Sequence, residues 1–144
     1  MAERGENEVR EAPNVERIAS RGGVLCLIVR AEFRPQATTF LTPPEYKQQV
    51  GFVVYAAEGE IARHVHRPIE RRRVGTSEVV LVQEGRCLLD VYDDEREIVA
   101  TRELGPGDLM LMVGGGHGFR MLEDTVLLEI KQGPYTGLDE KERF

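Results

Sequence analysis

The chain has 144 residues, enough for one domain, and its 19 basic and 25 acidic side chains leave a net charge of −6 with histidine neutral. A domain of this length buries about two thirds of its unfolded surface, so neither a disulfide nor a metal is needed merely to hold a core. The acidic balance argues against general nucleic-acid binding. The two isolated cysteines form no zinc knuckle or disulfide framework, and no apolar run approaches the roughly 18 residues of a membrane span.

Residues 1–20 are polar, with 5 Glu and 3 Arg, and read as a peripheral N-terminal arm. They carry no hydrophobic leader, which points to a cytoplasmic protein. The first apolar run, GVLCLIVRAEF at 23–33, is short and rich in Val, Leu and Ile, so it predicts a strand. Pro43 and Pro44 break the pattern, since neither can join a ladder. Strand-like runs then follow at 46–57, 60–67, 78–85, 86–94, 96–104, 108–113, 117–122 and 125–132. Their punctuation is Glu58-Gly59, Glu84-Gly85, Asp93-Asp94, Gly105-Pro106-Gly107, Gly114-Gly115-Gly116 and Glu123-Asp124. Eight or nine short strands without an intervening amphipathic helix predict an all-β barrel or sandwich over 21–135, with a polar C-terminal tail over 136–144.

The chemistry gathers around three histidines. His64 and His66 lie two apart in a strand-like run, which turns both imidazoles to one side. His117 begins another strand after the triple glycine. Such nitrogens suit a divalent transition ion, Zn, Fe, Mn, Ni or Co, better than Ca. Two carboxylates compete as a further ligand. Glu70 sits among arginines, where surface pairing is its ordinary role, whereas Glu78 opens a strand and is preferred. Arg63, Arg67, Arg71, Arg72 and Arg73 give residues 63–73 a charge of +4 after subtraction of Glu70. Within that run Arg71 and Arg73 are candidate substrate-binding residues for a carboxylate or phosphate. Glu129 and Lys131 share one face of TVLLEIK and Leu128 and Ile130 the other. If the apolar face is core, Glu129 and Lys131 meet solvent; if a cavity lies inside, they face it. With Tyr135, after a Gly-Pro turn, they are the candidate catalytic residues. Cys26 and Cys87 lie in apolar strands and read as buried hydrophobes.

Gly59, His64-x-His66, Glu78 and Gly85 resemble the first motif of the cupin superfamily, with six residues between Glu78 and Gly85 as that motif has them. Gly105-Pro106-Gly107-Asp108 and His117 resemble its second motif, with Val113 in place of its proline and Met121 in place of its asparagine. Eleven residues between His66 and Glu78 imply an enlarged loop at the rim. The end of the chain, KQGPYTGLDEKERF, is similar to that of small stand-alone cupins. This resemblance implies a double-stranded β-helix, a jelly-roll barrel whose mouth holds a metal on His64, His66, Glu78 and His117, and a homodimer paired through edge strands such as the 23–33 run. The expected function is a metal-dependent enzyme acting on a small polar or anionic metabolite, as an isomerase, epimerase or dioxygenase. The alternative is a non-catalytic ligand- or metal-binding sensor. No nucleic acid or membrane partner is expected.

Overall fold

The computed structural model describes residues 14–72, 74–134, 137 and 141–144. Ten strands follow one another: β1 (Val15–Ser20), β2 (Gly23–Val29), β3 (Thr39–Phe40), β4 (Gly51–Phe52), β5 (Glu78–Glu84), β6 (Cys87–Tyr92), β7 (Ile98–Leu104), β8 (Leu109–Met112), β9 (Gly116–Met121) and β10 (Val126–Lys131). They form three antiparallel sheets, ordered β1-β2-β8-β5-β10, β3-β4 and β7-β6-β9. No helix among the described residues is long and apolar enough to cross a membrane.

Strand periodicity explains how the five-stranded and three-stranded sheets meet. Alternate residues face one side, so β2 sends Cys26 and Ile28 inward, β5 sends Val80 and Val82, and β8 sends Met110 and Met112. Facing them from the smaller sheet are Cys87, Leu89 and Val91 of β6 and Leu104 of β7. The opposite face of the large sheet is also covered over β2 and β8. There Leu27, Val29 and Leu111 pack with Phe33 and Leu41, and Tyr46, Val50 and Phe52 close over them. A strand buried on both faces reads as continuous apolar sequence, which is why GVLCLIV has no alternation.

One buried carboxylate secures the turn into β8. Asp108 accepts hydrogen bonds from the Gly105 and Ala31 amides at 2.8 and 2.9 Å, and pairs with Arg30 at 3.2 Å. Gly107 beside it has φ +86°, and an added β-carbon there would stand 2.8 Å from that of Ala31.

The sheets are open, which overturns the double-stranded β-helix and jelly-roll barrel expected from the cupin resemblance. A barrel has no edge strands, whereas β1 and β10 bound one sheet here and β7 and β9 another. The missing element is the run expected at 60–67: no strand forms among the described residues between Phe52 and Glu78, and every described side chain from 53 to 76 is exposed. Its composition supplies the reason. One face of that run would present Ile61, Arg63, Val65 and Arg67, and the other Glu60, Ala62, His64 and His66. Neither face offers enough apolar surface to offset the ordering of the backbone. Conversely, β1 lies within the stretch expected to be a peripheral arm, and only Ile18 of it is fully buried. The 23–33 run supplies no edge for a second copy, because β2 is paired on both sides, by β1 and β8.

Candidate functional site

The space between the two larger sheets changes from apolar to polar along its length. In the β5–β10 ladder Leu127 stands opposite Val82, Glu129 opposite Val80, and Lys131 opposite Glu78. The shared parity puts all six on the face that carries the core. Leu127 packs against that core, and the charged residues continue its face toward the end of the ladder. On β9, Phe119 packs on the core and His117 lies two residues earlier, its ring 5.9 Å from that of Phe119 in an edge-to-face contact. The register thus puts Glu129 and Lys131 on the core-side face, at an end where 41% and 24% of their side chains remain exposed, and Val126, Leu128 and Ile130 on the exposed outer face.

Glu78 and His117 come from different sheets and meet at 3.5 Å between Oε1 and Nε2, with side chains 14% and 27% exposed. Lys131 Nζ lies 3.7 Å from Glu129 Oε1. The His117 side chain holds the Glu78 carboxyl below its ordinary range, against burial, which pushes it up. The charge of His117, a hydrogen bond with the Glu129 side chain and the charge of Lys141 in the tail all act in the same direction as the imidazole. The cluster thus brings two carboxyl groups, an imidazole and an ammonium group to one polar end of the intersheet space.

A second ionic contact spans the same two sheets on their other side. Arg102 of β7 donates from Nε to Glu16 of β1 at 2.7 and 3.1 Å. Arginine keeps its proton at every physiological pH, so that contact is structural. On the opposite side Glu78 meets an imidazole instead, the side chain most often used in general acid–base chemistry.

The four expected metal ligands are not assembled as one centre. Glu78 and His117 are together, while His64 and His66 stand on the exposed 53–76 segment with their rings 5.1 Å apart, edge to face. Among the described residues no group of three or more His, Cys, Asp or Glu side chains is placed to hold a metal ion, which corrects the expectation of a formed metal-binding site. Glu70, the competing carboxylate, is exposed on the same segment as the histidine pair. Arg71 lies in an open groove whose lining includes neither Glu78 nor His117. Arg73 and Tyr135 lie outside the described residues. Both cysteines are fully buried; burial and the charge of Glu16 push the Cys26 thiol up to about 12, which disfavours its nucleophilic thiolate.

No protein-family model matches this chain, and no curated protein or solved structure does. The cupin resemblance thus rests on motif spacing alone, and the open sheets overturn it. What survives is local: Glu78 and His117, chosen for their positions on strands, do meet in space. The sequence reading missed the groove containing Lys47. Its signal was the Pro43-Pro44 break, which marks a built loop as well as the end of a strand.

Proposed function

We propose that the chain binds a small polar, sugar-like metabolite beside Glu78, His117, Glu129 and Lys131 and transfers protons to and from it. The observation carrying this reading is the contact of Glu78 with His117 across two sheets, with Glu129 and Lys131 on the same face of the β5–β10 ladder. Two carboxyl groups against one ammonium and one imidazole favour a hydroxylated ligand over an anion. In the isomerase or epimerase form, the Glu129 carboxylate takes a proton from the carbon beside a carbonyl. His117 gives one to the carbonyl oxygen, and Lys131 faces the charge developing there. Return of a proton to carbon from a different position or face yields the isomer or epimer, and no oxidant is consumed.

The test is deuterium exchange at carbon, followed by NMR, for a panel of aldoses and ketoses in heavy water. Exchange should fall about 100-fold or more in Glu129→Gln and in His117→Asn while the fold is kept. Saturable ligand shifts without exchange would replace catalysis by binding or sensing. The absence of both would sink the reading.

A divalent transition metal, Zn, Fe, Mn, Ni or Co, is a second reading, and one contact favours it. His64 Nδ1 lies 2.8 Å from its own Ala62 carbonyl. A proton held there leaves Nε2 as a lone pair facing outward, the form an imidazole takes as a ligand. As arranged, the residues do not fit a single ion. Binding requires the 53–76 segment to fold toward Glu78 and His117. Elemental analysis of untagged protein tests this: about one ion per chain is expected, lost in His64→Ala and in His117→Ala alike. Equal loading of wild type and either variant would dismiss it.

A further inference from the structure

An open groove of about 1000 Å³ lies apart from the acid–base cluster. One wall is Phe40 of β3 with Tyr46 and Lys47 of the loop that follows it; the other is Arg71 and Arg72 of the extended segment. The loop is tightly built. Gln49 accepts from the Thr42 hydroxyl at 2.7 Å and donates to the Pro43 and Tyr46 carbonyls at 3.0 Å each. Thr42 Oγ1 in turn accepts from the Val50 amide at 3.1 Å. Lys47 therefore projects from a fixed base, and its ammonium lies 3.0 Å from where a β-carbon on Gly75 would stand. The Lys47 ammonium thus lies beside the arginine-bearing segment. Three cations thus share the groove with one carboxylate, Glu45, in a chain whose net charge is −6. No ion pair engages Lys47, Arg71 or Arg72 among the described residues. Phe40, 59% exposed, and Tyr46 add a flat apolar surface beside the charges.

We infer that this groove binds a small organic anion, its phosphate or carboxylate groups held by Lys47, Arg71 and Arg72 and its apolar body lying on Phe40 and Tyr46. Guanidinium groups suit such oxyanions because they donate two parallel hydrogen bonds, and the aromatic rings give an attached ring something to stack on. This site is independent of the proton-transfer site and stands whether or not that reading holds.

Calorimetric titration of the full chain at low ionic strength tests it, with phenyl phosphate, pyrophosphate and citrate as probes. Phenyl phosphate should bind more tightly than inorganic phosphate if the rings contribute, and pyrophosphate against citrate separates phosphate from carboxylate preference. Each of Lys47→Gln, Arg71→Gln and Arg72→Gln should weaken binding by about tenfold, and added salt should weaken it further. All three positions lie outside the core, so thermal unfolding should be unchanged. Glu78→Gln and His117→Asn should leave the titration as it is. Absence of saturable binding for every probe, binding retained in the triple variant, or loss of binding in Glu78→Gln would each overturn the inference.

Discussion

Asp90 and Glu78 are both carboxylates held by a basic partner, and the partner's chemistry separates their roles. Asp90, on β6, accepts from Arg120 at 2.8 and 2.9 Å and from the Thr101 hydroxyl at 2.7 Å, which ties the outer face of the three-stranded sheet together. The guanidinium hydrogen bonds hold its carboxyl below the ordinary aspartate value of 3.8, with Thr101 and the charge of Arg120 assisting and burial opposing. A depressed folded value means that the stabilisation is fully present above about 3.8 and is lost as pH falls through the folded value beneath it. Asp90→Asn should therefore lower the melting temperature at neutral pH and flatten its decline in acid, the two proteins converging at the lowest pH; scanning calorimetry across the acid range checks this. Parallel acid limbs would refute it. At this scale the sequence is informative about Glu78, because its place at the start of a strand points to an inward side chain. It is equally informative about Glu70, whose neighbours are arginines. It says nothing of Asp90, since its two partners lie 11 and 30 residues away.

Turns are the most legible elements, and Gly85 shows why. It joins β5 to β6 with φ +87°, and an added β-carbon would stand 2.7 Å from the Thr125 Cα and closer still to the Asp124 carbonyl oxygen. Both obstacles are backbone, in the turn between β9 and β10, where the Thr125 hydroxyl donates to the Arg86 carbonyl at 3.2 Å. Gly85→Ala combines left-handed strain with a clash that cannot relax, and should cost about 2–4 kcal/mol in denaturant unfolding. A loss within experimental error would show that the two turns do not pack. Strands β5 to β10 are legible for the related reason that alternation and turn residues are local signals. β1 is not, because Glu16 and Arg17 hide a strand defined by Ile18 and by pairing with β2. For β10, periodicity gives two faces without saying which is inner. The polar face faces the core side only because the β5 register places Glu129 opposite Val80.

The closing of sheets is a property of the whole chain, and no local pattern reports it. Glycine spacing around His64, Glu78 and His117 suggests a barrel, but closure needs a paired strand between Phe52 and Glu78. The side chains of 60–67 cannot bury either face. The same stretch has an electrical consequence. Residues 63–73 carry +4 and the whole chain −6, so the remainder carries −10. The described basic side chains of that run are exposed on backbone that belongs to no sheet. Within about 8–10 Å, the reach of an unscreened field in physiological salt, an approaching ion meets the local sign. A distant electrode sees the sum. Migration in a field and adhesion at close range therefore report opposite polarities of one molecule.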